Sequence, residues 1–290
     1  MRAIDHLVLP VTTLTLARSR LASLGFTVAP DAQHPFGSGN CCVLFEDRTF
    51  LEPITIVDRG AADIAAAKGN VFIKRLKRFA ERRRREGFAM VALKSGDAAA
   101  DLAAFQKAGM SGDGLLEFKR MATMPDGSER EIGFKLAFAE KGEASDAAFF
   151  ACQHLAPDAL FQPQYLKHPN GARGVSAVVA VAENPADFHI LLTAATGQRE
   201  LRSTSFGIEA AVDGQEIAIL TPAGFRARYG VEPPDPRRGL IFAAFDIVVA
   251  DLDAALKHLG AAGKRHQERV VVKAAPGLGA VMAVGSADNG

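Results

Sequence analysis

The chain begins with MRAIDHLVLP, residues 1–10, an apolar segment typical of a buried strand that nevertheless carries Asp5 and His6 in its middle. Burying a polar ring without a partner costs a few kcal/mol. His6 must therefore lie at an edge, find a hydrogen-bonding partner or bind something. A single histidine in a strand is more often a satisfied core residue than a ligand, so its role depends on what the other elements bring to it.

Composition places the chain among globular proteins and excludes several classes. Its 290 residues are enough for one large or two ordinary domains, and a net charge of +1 gives no overall attraction to nucleic acid or anionic lipid. No apolar run reaches the roughly 18 residues that span a bilayer, and the N-terminus lacks the pattern of a signal peptide. The three cysteines, Cys41, Cys42 and Cys152, form no CxxC motif, so a disulfide framework is not expected. We expect a cytoplasmic protein without a membrane partner.

One order of predicted elements, a strand, a helix and then two or three strands, recurs four times along the chain. The four first strands are AIDHLVLPV, FAMVALKS, GVSAVVAV and GLIFAAFDIVV, and each precedes a segment with helical character. In the first copy the helix spans Leu14–Leu24 and is followed by NCCVLFED and TFLEPITIV. Copies in the same order predict an α+β chain of repeated modules.

A basic insertion, residues 59–87, separates the first two copies. Between Lys74 and Arg85 it carries eight basic residues and one acid, Glu81. A basic amphipathic helix can dock on nucleic acid or on a membrane surface. It can equally be a solvated helix that covers the sheet, which we favour because no other segment adds aromatic platforms or a second basic face. A connector rich in Pro and Gly, APDALFQPQYLKHPNGARG, separates the second copy from the third.

With IDHLVLPV at its start and TFLEPITI at the end of its first copy, this plan resembles the vicinal oxygen chelate superfamily, which includes glyoxalase I, extradiol dioxygenases, epimerases and antibiotic-resistance proteins. DAQHPFGSGNCCVLFEDRTFLEPITIVD and HPNGARG resemble the glyoxalase-like domain proteins of that superfamily. The resemblance implies an α+β fold of four βαβββ modules, paired into two half-barrel cups. It places one glyoxalase-like domain at residues 1–160, with the insertion inside it, and a second at residues 174–290.

The resemblance also implies a divalent metal, Fe, Mn, Zn, Ni or Co, in the floor of a cup, with ligands from the first and last strands of the paired modules. Residues of the same parity share one face of a strand, so His6 and Glu52 meet if both strands present their even positions to the cup. His154, in the last strand of the second module, completes a set of two histidines and one carboxylate, which leaves positions open for substrate. His168 in the connector is the alternative third ligand. We expect Glu52 to be catalytic as well.

Two residues of the Gly-rich loop HPFGSGN, His34 and Asn40, are predicted to touch substrate, since loops near a cup mouth commonly do. The alternative is a turn whose glycines only supply backbone freedom. Glu117 and Arg120 lie in the strand LLEFKR, where periodicity does not tell which face is covered. We expect both on the exposed face.

The other modules depart from the pattern of the family. Ala89 stands in the second module where His6 stands in the first, so a four-ligand site is not expected. The third module has Ser176 and Ala218 at the two ligand positions, and the fourth has Ala244 on its first strand. The second half is therefore predicted to be metal-free, and to act as a structural companion or to form a homodimer.

Three functions follow from these observations. The favoured one is a metal-dependent enzyme of the glyoxalase or dioxygenase type, an isomerase, lyase or dioxygenase that chelates the vicinal oxygens of a small-molecule substrate and stabilises an oxyanion by Lewis acidity. In the alternative, a metal-free cup binds or sequesters a small aromatic or antibiotic-like ligand. The least favoured is nucleic-acid binding through residues 74–85, which would depend steeply on salt.

Overall fold

A computed structural model describes residues 1–83, 86–110, 114–124, 126–139, 146–237 and 239–286. Each module's first strand is followed by a helix and then by further strands, in the predicted order. In chain order the elements are β1 (Ile4–Pro10), α1 (Leu14–Ser23), β2 (Ala32–Gln33), β3 (Ser38–Asn40), β4 (Val43–Leu44), β5 (Phe50–Ile56), α2 (Arg59–Ala67), α3 (Val71–Arg83), β6 (Met90–Lys94), α4 (Ala98–Lys107), β7 (Leu116–Thr123), β8 (Glu129–Ala139), β9 (Ala148–His154), α5 (Pro157–Leu160), β10 (Ala172–Val181), α6 (His189–Thr196), β11 (Arg202–Thr204), β12 (Gly207–Val212), β13 (Gln215–Leu220), α7 (Pro222–Tyr229), β14 (Ile241–Val249), α8 (Leu252–Leu259), β15 (Gly263–His266), β16 (Arg269–Val272) and β17 (Val281–Ser286).

The strands form two mixed sheets. The first has the order β2-β3-β5-β1-β6-β9-β8-β7, with β4 paired to β5, and the second has the order β11-β12-β13-β10-β14-β17-β16-β15. In each sheet the first strands of two modules pair antiparallel at the centre, and each pairs in parallel with the last strand of its own module. The α+β fold of four βαβββ modules in two half-barrel cups is therefore confirmed.

Side chains at the N-terminal ends fix where the helices begin. The Thr13 side chain accepts a hydrogen bond from the N–H of Leu16 at the start of α1. Asp97 and Asp251 each accept from two N–H groups in the first turns of α4 and α8. Because such caps contribute about 0.5–2 kcal/mol each, the change from strand to helix in the modules is set by local sequence.

The helix-bearing faces of the two sheets pack against each other in one apolar core. Odd-numbered residues of β1, Leu7 and Leu9, belong to it together with helix residues such as Leu21. Within this core the rings of Phe88 and Phe242 stack with centroids 4.8 Å apart. Because the halves share this core, the domain boundaries predicted at residues 160 and 174 stay a prediction.

The insertion forms α2 and α3, which cover the concave face of the first sheet. Lys77 on α3 pairs with Asp63 on α2. Arg84 and Arg85, part of the predicted basic stretch, lie outside the described residues. No helix among the described residues combines the length and the apolar character needed to cross a membrane. The helix α3 forms the roof of the first cup, because its apolar residues are buried against the side chains that face the cup. These residues are Val71, Phe72, Ile73, Leu76 and Phe79.

Candidate metal centre

A β-bulge in β1 brings Asp5 and His6 together. Ile4 pairs with Leu93 and His6 pairs with Ala92, which leaves Asp5 as an extra residue in the ladder. A bulge of this kind re-aims side chains that would otherwise point to opposite faces. His6 Nδ1 lies 2.8 Å from Asp5 Oδ2, and both residues are buried. The sequence signal for this arrangement is the polar pair itself, at consecutive positions of an apolar strand.

Asp5 is also held by His154, at the end of β9. His154 Nε2 lies 2.7 Å from the same oxygen, Asp5 Oδ2. Burial would raise the pKa of Asp5, but the charges and hydrogen bonds of His154 and His6 outweigh it and hold that pKa well below its usual range. An ionised Asp5 accepts a hydrogen bond from His6 Nδ1–H, so the lone pair of His6 is on Nε2, the usual arrangement of a metal-ligating histidine.

Glu52 faces that lone pair from β5. Its Oε2 atom lies 3.7 Å from His6 Nε2, and its Oε1 atom accepts a 2.6 Å hydrogen bond from Asn40 Nδ2. Burial raises the pKa of Glu52, while the His6 charge and the Asn40 hydrogen bond act in the opposite direction. The predicted meeting of His6 and Glu52 is thus present in the cup, with Asn40 positioning the carboxylate.

His34, in the loop before β3, approaches the other side of Glu52. Its Nε2 atom lies 3.8 Å from Glu52 Oε1, and its Nδ1 atom lies 2.8 Å from Ser38 Oγ. Burial, with the charges of Arg120 and His6, lowers the pKa of His34 to about 3. The ring is therefore neutral at neutral pH and can offer a lone pair. We predicted that His34 contacts the substrate. In the structure it lies beside the carboxylate of Glu52.

His6 and His34 each lie close enough to an oxygen of Glu52 for that pair of residues to bind one divalent cation. Metal–nitrogen and metal–oxygen bonds of about 2.0–2.2 Å allow two ligand atoms just under 4 Å apart to bind one ion. Both Nε2 atoms, of His6 and His34, meet this condition with an oxygen of Glu52. Two imidazoles and one carboxylate are the donors that borderline divalent metals prefer.

A second group of donors lies beneath this set. Ligand atoms of Asp5, His6, Cys152 and His154 all lie within 4.8 Å of one another. Burial, together with the charges of Asp5 and Glu52, raises the pKa of the Cys152 thiol well above its usual value. Because Asp5 Oδ2 already accepts from both imidazoles, this group fits the role of a support for His6 better than that of a first coordination sphere.

The residues predicted to line the site are placed as follows. One cavity at the floor of the first cup is lined by His6, Glu52, Asn40 and His34. His154 does not line this cavity and contacts Asp5 instead. His168 lies elsewhere: its Nδ1 atom accepts from the N–H of Thr27 and its Nε2–H donates to Leu44 O. Both ring nitrogens of His168 are thus used by the backbone, which leaves neither for a metal.

Aromatic rings close the cavity, whose volume is about 30 Å³, room for about two water molecules. Phe72 from the roof, Phe118 from β7 and Arg120 are among its walls. Burial alternates along β7, so Glu117 is exposed as expected, but Arg120 faces the cup. The expectation that Arg120 is exposed is wrong, because the strand curves over the site and its even positions face inward.

The second cup lacks these donors. Val11 N–H donates to Ile54 O in the first module, and Ala182 N–H donates to Leu220 O in the third. Counting back along the paired strands puts Ala177 and Ala218 at the positions of His6 and Glu52. Ala218 is at the position of Glu52, as predicted. The residue at the position of His6 is Ala177 and not the predicted Ser176.

The same counting corrects the second module. His6 lies eight residues before the start of α1, and Met90 lies eight residues before the start of α4. Met90, and not Ala89 as predicted, therefore occupies the position of His6 in the second module. As predicted, this position is not a histidine. In the second cup a buried Asp246 accepts from Tyr229 Oη over 2.7 Å and from Arg228 Nη2 over 2.9 Å.

Comparisons with known proteins agree with this architecture. Residues 4–196 match the model of the glyoxalase-like domain family, and no curated protein matches the chain in sequence. A hypothetical protein from Staphylococcus aureus is similar in structure over 99% of this chain and 100% of its own, with a TM-score of 0.70 and 10% identity. A triple mutant of 4-hydroxymandelate synthase from Streptomyces coelicolor is similar over 100% of this chain and 94% of its own, with a TM-score of 0.57 and 11% identity.

A third structure with the fold is the Mn(II)-bound glyoxalase from Novosphingobium aromaticivorans, which is similar over 98% of this chain and 82% of its own, with a TM-score of 0.52 and 11% identity. At these identities the three solved structures show a shared fold alone. The family match covers more than half of the chain. This protein therefore belongs to the glyoxalase-like domain family.

Proposed function

We propose that the first cup is the active site of a metal-dependent enzyme that acts on a small substrate with vicinal oxygens. The observation that carries the proposal is the position of His6 Nε2, which lies 3.7 Å from Glu52 Oε2 in a buried cavity while Asp5 holds the other ring nitrogen. His6, Glu52 and His34 would hold the ion. The likeness to the Mn(II)-bound glyoxalase supports a metal in this fold.

A bound divalent ion would act as a Lewis acid that polarises the oxygens of the substrate. The protein's own residues do the rest. Glu52 has two oxygens in different surroundings: Oε2 lies toward His6, while Oε1 accepts from Asn40, which holds the carboxylate in place. Burial raises the pKa of this carboxyl toward the range where a general base works best. The phenylalanine walls exclude bulk water and strengthen each of these interactions.

Metal analysis by mass spectrometry on tag-free protein tests the site. We expect about one equivalent of Fe, Mn, Zn, Ni or Co in the wild type, lost in His6→Ala and in Glu52→Gln. His34→Ala should lower the occupancy, and His154→Ala should keep the stoichiometry with about 10- to 100-fold weaker binding, because His154 acts through Asp5. His189→Ala is the matched control, since His189 is exposed and bonds only to Ala186 O among the described residues.

Full metal occupancy in both His6→Ala and Glu52→Gln would overturn the assigned site. Loss of the metal in His154→Ala with retention in His34→Ala would instead make His154 the third ligand. A wild-type protein that takes up no metal, even after reconstitution, would favour the metal-free binding cup.

A further inference from the structure

The cavity of the first cup is lined by a cation that is influenced by the charge of Glu52 without forming an ion pair with it. Arg120, on β7 opposite Ile132, points into the cavity. Its Nε atom is buried without a hydrogen-bond partner, and its Nη1 atom makes only a long 3.4 Å contact with Met121 O. Arg120 forms no ion pair with any described residue. A guanidinium keeps its charge in proteins, so leaving the buried Nε donor without a partner is unfavourable unless a ligand anion completes it.

The same cavity contains an unused acceptor. Asn40 Nδ2 donates to the Glu52 carboxylate over 2.6 Å, which identifies the other amide atom, Oδ1, as the oxygen. Asn40 Oδ1 is buried and has no partner among the described residues. An O–H or N–H of a ligand would satisfy it.

The remaining walls are mainly carbon, from rings such as Phe50, Phe118 and Phe134. The volume of about 30 Å³ holds about two water molecules, so a larger ligand must displace a wall ring. Charge adds a further constraint. Asp5 and Glu52 together balance a divalent cation, so the charge of Arg120 is the one left for a ligand to neutralise.

We infer that the substrate is a short 2-hydroxycarboxylate, whose carboxylate binds Arg120 and whose hydroxyl donates to Asn40 Oδ1. This inference rests on the proposed function, since the metal is what balances Asp5 and Glu52 and leaves a single positive charge. Arg120 then determines specificity, because it selects an anion over a neutral molecule of the same shape. The hydroxyl and carboxylate oxygens of such a ligand lie on adjacent carbons and could also chelate the ion.

Isothermal titration of the metal-loaded protein with lactate, lactamide and propionate tests this. Lactamide lacks the anion and propionate lacks the hydroxyl. We expect lactate to bind tightest, with each deletion weakening binding by about 10-fold or more, the size expected for a hydrogen bond to a charged group or for an orphaned buried acceptor. Arg120→Gln should weaken lactate binding about 10- to 100-fold and leave lactamide binding unchanged.

Lys119→Gln is the matched control, because Lys119 is the neighbouring cation on the exposed face of β7, where it pairs with Glu131 at 2.8 Å. It should leave lactate binding unchanged. Metal content is measured in every variant, and Arg120→Gln should retain the metal and the wild-type melting temperature.

Equal affinity for lactate and lactamide, no lactate binding, or wild-type lactate affinity in a metal-loaded Arg120→Gln would overturn the inference while leaving the metal site intact. If the wild type holds no metal, the proposed function fails, and the same titration on metal-free protein decides the anion site separately. In that case, a preference for lactate over lactamide that depends on Arg120 would support the anion site. The absence of such a preference would rule the anion site out.

Discussion

Asp5 is the residue on which the orientation of His6 depends. Its Oδ2 atom accepts from His6 Nδ1 and from His154 Nε2, so a turn of either ring would leave a buried carboxylate short of a donor. The carboxylate–histidine pair fixes the ring tautomer and raises the basicity of the nitrogen that faces Glu52. Asp5, which precedes His6 in the sequence, thus orients the His6 ring for metal binding.

Replacing Asp5 by Asn should lower the affinity for the divalent ion about 10- to 100-fold, because an amide oxygen accepts more weakly and its NH₂ group opposes the His154 donor. Competition with a chromogenic chelator measures this affinity. Asp31→Asn, which removes an exposed acid paired with Arg18, is the control and should leave the affinity unchanged. Wild-type affinity in Asp5→Asn would mean that His6 is oriented without Asp5.

His168 makes stability depend on pH. Burial lowers the pKa of His168, and its two backbone hydrogen bonds require a neutral ring. An unfolded histidine titrates at about 6.5, so the unfolded state takes up the proton first as the pH falls. The stabilisation is complete above that pH and is lost below it. We expect the urea midpoint to fall more between pH 7.5 and pH 5.5 in the wild type than in His168→Gln. Equal falls in both proteins would contradict this.

At the scale of elements, α3 controls access to the first cup. Phe72, on the inner side of this helix, lines the cavity and approaches Phe36 and Phe150 with ring centroids 5.8 and 6.3 Å away. The same ring meets His34 edge-on at 6.0 Å. The roof therefore supports one of the candidate ligands as well as excluding water.

Phe72→Ala should destabilise the protein by about 3–5 kcal/mol, the usual loss for a buried phenylalanine. It should also enlarge the cavity, so that longer 2-hydroxycarboxylates bind. Urea unfolding and titration with 2-hydroxyhexanoate measure the two effects. Lys74→Ala, an exposed change on the same helix, should alter stability by no more than about 0.5 kcal/mol. A Phe72→Ala protein as stable as Lys74→Ala would show that α3 does not pack on the cup in solution.

At the scale of the whole molecule, the shared core joins a cup that carries donors to one that does not. Phe242 of β14 stacks on Phe88 at 4.8 Å and meets Phe149 of β9 at 5.1 Å. The rings of the second half thus buttress β9, the strand that ends at His154. This packing gives the second half a structural role in the site without any donor of its own.

Phe242→Ala should destabilise both halves together by about 3–5 kcal/mol, in one cooperative transition. Urea unfolding followed by far-ultraviolet circular dichroism and by release of bound metal should give coincident curves. Phe206→Ala, at a ring that is 49% exposed, is the control and should have little effect. Separate transitions for the two signals would mean that the halves unfold independently.

The sequence by itself determined the order of the modules and the direction of the side chains within each strand. Caps such as Thr13 and Asp97 are local, and the two-residue period of a strand puts His6 and Val8 on one face without knowledge of any partner. The pairing of β1 with β5, which sets Val8 opposite Glu52, then made the meeting of His6 and Glu52 predictable from the module plan.

Only the tertiary structure decided which distant groups meet. The bulge at Asp5 changes the face of a single residue, and His154, 149 positions away, reaches the same carboxylate because β9 pairs with β6, which in turn pairs with β1. Arg120 enters the cup because the even positions of β7 face inward, and the insertion, which we expected to cover the sheet, does so over the first cup. Local rules fix where a side chain points from its own backbone, whereas its partner depends on sheet curvature and on the packing of segments far apart in the chain.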